Sequence, residues 1–142
     1  MAHGKTPWHM WLVALVSLLW NAQACFVYWM TMTRDAAYLA PFPPEMIDWL
    51  DAVPDWALVA WGLGVFAALA GSVLLLLRSG FAVLAFAASL LGLAGSQFHQ
   101  WTSDAPESMT NTGSMVLAAA FWIVAIDLLW YAAAMRRRGV LR

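Results

Sequence analysis

Residues 56–77 read WALVAWGLGVFAALAGSVLLLL, 22 consecutive positions without an Asp, Glu, Lys or Arg. An α-helix rises about 1.5 Å per residue, so about 20 apolar residues cross the roughly 30 Å hydrocarbon core of a bilayer. This stretch is long enough for one crossing. Outward from it, residues 6–33 form a charge-free run of 28, residues 79–103 one of 25, and residues 108–126 one of 19 that continues past Asp127 to Met135. None breaks into the segments of about 10 alternating residues that mark a membrane β-barrel, and in lipid a helix satisfies its own backbone. The reading is all-α: an integral membrane four-helix bundle, one domain over residues 1–142. Its spans lie near 8–32, 56–78, 80–99 and 114–135.

Composition agrees. The chain is 63% hydrophobic and 11% charged, against roughly 25% charged in an ordinary soluble domain. A net charge of −1 without a basic stripe argues against a nucleic-acid partner. Cys25 is the single cysteine, which excludes an internal disulfide and a CxxC pair. That removes the quinone-linked thiol oxidoreductases, four-helix membrane proteins that need paired cysteines.

The basic residues set the orientation. Lys5 precedes the first span, Arg78 sits in the 2–3 turn, and Arg136, Arg137, Arg138 and Arg142 follow the fourth. The long 1–2 loop holds Arg34 against Asp35, Glu45, Asp48, Asp51 and Asp55. Under the positive-inside rule both termini are expected in the cytoplasm of a bacterial inner membrane. The triplet Ala22-Gln23-Ala24 has the look of a signal-peptide cleavage site. The apolar character continues beyond it through Phe26-Val27-Tyr28-Trp29, so a retained span is expected instead.

Several features belong to the membrane itself. Trp8, Trp11, Trp130 and Tyr131 fall near one interface, and Tyr28, Trp29, Trp49, Trp56 and Trp101 near the other, where amphipathic rings gather. Pro43-Pro44 suits a helix start, and residues 43–52 are expected to form a short amphipathic helix on the outer membrane surface. Its Met46, Ile47, Trp49 and Leu50 lie to one side and three acids to the other. Small residues mark helix contacts, because lipid supplies no hydrophobic push between helices. Gly64, Ala67, Ala68 and Gly71 on span 2 and Ala85, Ala88, Ser89, Gly92 and Gly95 on span 3 predict a close hairpin.

Asp127 is the one acid well inside a span. A charge at mid-bilayer costs about 2.5–3.5 kcal/mol on insertion scales, which makes it a default functional suspect. Counting depth at about 1.5 Å per residue puts Ser17, Ser72 and Ser89 in the same layer, with Asn21 a turn deeper and Gln23 beyond. Their hydroxyls and amides are candidates to hold Asp127. Three roles stand open: a proton-linked carrier or relay, a helix staple, and an inter-subunit contact with a basic residue of a partner.

The histidines offer less. His9 and His99 fall at opposite interfaces and do not clasp a haem, and His99 with Gln97, Gln100, Asp104 and Glu107 lacks a diagnostic metal spacing. No cofactor, metal or catalytic motif is expected, so the chain reads as non-enzymatic.

Three segments carry a resemblance: Leu19-Trp20-Asn21-Ala22, residues 30–39 (MTMTRDAAYL), and the RRGVLR tail at 137–142. In these the chain resembles uncharacterised small four-span bacterial inner-membrane proteins, some labelled "sugar transporter". Thr31, Thr33, Arg34 and Tyr38 at the outer mouth, with His99 nearby, are candidates to hydrogen-bond a polar ligand, and Arg34 is equally a candidate to pair with an acid of its own loop. The leading expectation is an accessory or scaffold subunit whose partners are the bilayer and other membrane subunits, or copies of itself. The alternative is an oligomeric carrier of a small solute, a sugar or a proton-linked substrate, with Asp127 and Asn21 in the path.

Overall fold

The computed structural model describes residues 5–142. It is all-α among those residues: α1 (Trp8–Met32), α2 (Ala36–Leu39), α3 (Pro44–Asp51), α4 (Asp55–Leu76), α5 (Ala82–Thr102), α6 (Glu107–Thr110) and α7 (Thr112–Arg137). The four long helices α1, α4, α5 and α7 are each long and apolar enough to cross a membrane, making this a multi-pass membrane protein. Residues 1–4, including the extreme N-terminus, lie outside the described residues.

Local chemistry sets the helix ends. Pro7, Pro43, Pro54 and Pro106 sit in extended conformation immediately before α1, α3, α4 and α6. Pro44 occupies the first position of α3, where no backbone donor is lost. Asn111 caps α7 by accepting from the Ser114 amide at 2.9 Å. At their far ends α1, α4 and α7 close alike, with Arg34 (φ 54°), Arg78 (φ 57°) and Gly139 (φ 74°) in the left-handed region. The following amide then reaches back five residues: Asp35 to the Met30 carbonyl, Ser79 to Leu74 and Val140 to Met135. This is the Schellman closure.

The long helices pack in the order α1–α4–α5–α7. The expected hairpin is α4–α5, crossing where Gly64 and Gly92 meet. A methyl built on Gly92 would collide with the Gly64 backbone and lie 2.5 Å from the Ala60 carbonyl oxygen. Ser89 donates across the same seam to the Gly64 carbonyl at 2.7 Å. Between α1 and α7 the link is made by side chains: His9 Nδ1 lies 2.6 Å from the Tyr131 hydroxyl, and the Trp20 and Phe121 rings are 5.0 Å apart.

The two ends of the bundle differ. Toward the end where α1 begins and α7 finishes, Met10, Ala14, Leu75, Phe86, Leu128, Ala132 and Met135 make one solid core with Val140 and Leu141 of the tail. The tail then hydrogen-bonds the α4–α5 turn, Arg142 N to the Arg78 carbonyl at 2.8 Å and Arg78 Nε to the Val140 carbonyl at 3.3 Å. Toward the other end the helices enclose a cavity, covered by α2, α3 and α6.

In the α3 segment the faces divide as read, with Leu50 buried and Glu45, Asp48 and Asp51 exposed. Its apolar side packs on the end of the bundle. Trp49 Nε1 donates to Ser103 Oγ at 3.0 Å and its ring lies against His99. Packing Trp49 and Leu50 over the hollow end takes part of their apolar surface out of water.

Candidate functional site

On α1, Ser17, Asn21, Cys25 and Tyr28 recur at intervals of four, four and three, which puts them on one helix face. That face meets α4. Asn21 Nδ2 donates to Ser72 Oγ at 2.9 Å and to the Ala68 carbonyl at 3.1 Å. The Ser17 and Ser72 hydroxyls are 3.0 Å apart, and Ser17 donates to the Ala14 carbonyl at 3.0 Å. Further along, Cys25 Sγ donates to the Val65 carbonyl and Tyr28 OH to the Leu58 carbonyl, both at 3.3 Å. All donors find acceptors when the chain runs Asn21 to Ser72 to Ser17 to the Ala14 carbonyl. A closed polar seam of this kind fixes two helices together.

Of the candidates grouped by depth, only Ser17, Asn21 and Ser72 come together. Ser89 is spent on the α4–α5 seam. Gln23 is exposed at the rim of the cavity. Asp127 is exposed on the outward face of α7, so the expectation that these hydroxyls and amides hold it is corrected. Equal depth did not mean equal facing. The one salt bridge among the described residues is Arg34 to Asp51 at 2.9 Å, and it does not involve Asp127.

The outer-mouth candidates separate as well. Arg34 ties the end of α1 to the end of α3 through that bridge. Tyr38 lines the cavity, with its amide bonded to the Asp35 carboxylate, while Thr31 and Thr33 bond back to Val27 and Trp29 of their own helix. His99 lies between the Trp49 and Trp56 rings, at 5.5 and 5.7 Å. Among the described residues no three His, Cys, Asp or Glu side chains gather to hold a metal.

The cavity is about 560 Å³ and is walled by all four long helices. That volume falls within the roughly 300–1,000 Å³ of small-molecule sites. No Asp, Glu, Lys or Arg lines it. Most of its polar groups are already engaged, Asn21 and Ser89 as above, Ser96 with the Leu93 carbonyl and Ser114 with the Ser108 carbonyl. Gln97 Oε1 and Ser108 Oγ are buried without a partner, and Gln23, Tyr38, Trp61 and His99 add further polar atoms to the lining.

The orientation of Gln97 follows from its neighbours. The Met109 carbonyl can only accept, so Gln100 presents Nε2 to it, at 3.3 Å. Gln100 Oε1 then faces Gln97 and takes a bond from Gln97 Nε2 at 3.3 Å. The Gln97 oxygen is therefore the atom left over. Sequence reading named Gln97 and Gln100 only as weak metal candidates and passed over Ser108. α6 follows α5 after a short turn and Gln100 reaches Met109 nine residues on, yet nothing in the spacing of Gln97 and Ser108 announces a shared cavity.

Comparison with family models, with curated proteins and with solved structures finds no match to the chain.

Proposed function

We propose that the chain is a non-enzymatic accessory or scaffold subunit of a larger bacterial inner-membrane assembly, with its termini in the cytoplasm, and that it docks its partner along the outward face of α7. Asp127 carries this reading. Val116, Ala119, Ile123, Asp127 and Trp130 follow one another at spacings of three and four and are all exposed, so they form one stripe. Only 11% of the most apolar stretch of α7 is buried, against 28% for α1. An unpartnered carboxylate on a lipid-facing stripe is expensive, and such residues pair with a donor or a cation.

Among the described residues no side chain hydrogen-bonds or pairs with Asp127. Arg136 begins nine residues further along α7, about 13 Å at 1.5 Å per residue. A second copy aligned in the membrane carries its basic residues at the same levels. A different protein with a Lys, Arg, His or amide inside its own span fits best. The carrier alternative, with Asp127 and Asn21 in one path, gains no support from a side chain linking them: Asn21 faces α4 and Asp127 faces out.

The test is site-specific photo-crosslinking in native membranes from Ile123, one turn from Asp127. A discrete adduct with a foreign protein, lost in Asp127→Leu and absent from the lipid-facing control Leu84 on α5, supports the subunit. Adducts with lipid only, or with a second copy, overturn it.

A further inference from the structure

The cavity lies on a different surface from the α7 stripe and asks for a different occupant. We propose that it binds a single-chain neutral amphiphile, a long-chain alcohol or amide, taken directly from the membrane between α1 and α7.

The entry is set by two residues. Gln23 on α1 and Leu117 on α7 both line the cavity and are both exposed, so the cavity opens sideways between these helices. Below that opening the Trp20–Phe121 contact closes the gap. What reaches the cavity by this route comes from the lipid.

The wall sets the chemistry. It is mostly apolar, and His99 and Tyr38 are its ionisable side chains, with no Asp, Glu, Lys or Arg, so a phosphate, carboxylate or ammonium head group would lose its water without a fixed counter-charge. With most lining hydroxyls and amides already bonded, a sugar would bury many polar groups against few free ones. Deepest among the unpaired atoms are Gln97 Oε1 and Ser108 Oγ, both buried. The first accepts only, so the head group supplies a donor, and one hydroxyl or amide N–H is enough. At about 560 Å³ the cavity is smaller than a two-chain phospholipid, which leaves a single chain.

The experiment uses the full-length protein in liposomes with a diazirine-bearing hexadecanol as photoprobe, and maps the labelled peptides by mass spectrometry. Labelling is expected on the α1 and α7 peptides that line the cavity. Unlabelled hexadecanol should displace the probe about tenfold better than hexadecane, the size of effect expected for one buried hydrogen bond. Ala118→Trp, which fills the cavity from α7, should abolish the labelling. Gln97→Leu should erase the preference for alcohol over alkane while leaving the labelled positions unchanged, and it decides the matter even where Ala118→Trp fails to accumulate. Labelling spread over lipid-facing positions such as Leu84 and Leu91, or equal displacement by alcohol and alkane, overturns the proposal.

Discussion

The hydroxyls of Ser17 and Ser72 lie 3.0 Å apart, with Asn21 donating to the same Ser72 oxygen, at the level where the solid half of the bundle gives way to the hollow half. Interhelical hydrogen bonds in membranes average about 0.6 kcal/mol and reach about 1.7. A double-mutant cycle of Ser17→Ala and Ser72→Ala is expected to show coupling of about 0.5–1.5 kcal/mol in reversible unfolding from mixed micelles. Asn21→Leu removes two bonds and should cost more than Ser17→Ala. Strict additivity of the two serine variants would mean that the seam does not act as a unit.

The Gly64–Gly92 crossing gives a sharper contrast. Gly92 faces backbone, which does not yield as a flexible side chain does. Gly92→Ala is expected to destabilise by about 1–3 kcal/mol or more through forced separation of α4 and α5. Gly113, in the first turn of α7, meets only Asn111 Oδ1 at 3.5 Å. Gly113→Ala should be neutral or stabilise by up to about 1 kcal/mol on helix propensity. Thermal unfolding of both variants in one detergent checks the pair, and equal shifts would contradict the crossing.

Gly139 stands at φ 74°, where it turns the chain so that Val140 and Leu141 enter the core and Arg142 reaches the α4–α5 turn. Gly139→Ala is expected to cost about 1 kcal/mol from the left-handed backbone alone. Truncation after Arg138 should cost more, because it also removes two buried apolar side chains. Protease sensitivity of the 78–80 turn is the direct readout, and it should rise with truncation. A turn equally protected in the truncated protein would show that the tail does not brace it.

How far the sequence could be read follows from the physics of each element. The four spans were legible because lipid demands unbroken charge-free runs, and the α4–α5 hairpin because close packing demands small residues. Depth counting put Ser17 and Ser72 in one layer with Asn21 a turn deeper, but it put Ser89 there as well. The facing of Asp127 was not. In lipid both sides of a helix are apolar, so α7 carries no amphipathic stripe to mark which side meets its neighbours. Depth counting therefore set Asp127 beside residues it does not touch. The cavity was equally hidden, since it depends on where α3 and α6 fold back over the bundle. The α3 faces were readable, whereas their docking against Ser103 and His99 was not.

Asp127 supplies the last test, because its two possible roles move stability in opposite directions. A carboxyl that held α7 to the bundle would be missed, and Asp127→Leu would then unfold the isolated protein more easily by about 1–2 kcal/mol. A carboxyl that faces out toward an absent partner is a burden in the isolated chain, since insertion of a charged Asp costs about 2.5–3.5 kcal/mol at mid-bilayer. Asp127→Leu is therefore expected to leave unfolding in liposomes unchanged or to stabilise it, while Asn21→Leu destabilises in the same assay. In native membranes the same leucine variant should lose the crosslinked partner. Asp127→Asn then reads the partner's chemistry: retention points to a neutral hydrogen-bond donor, and loss to a cation that needs the full charge.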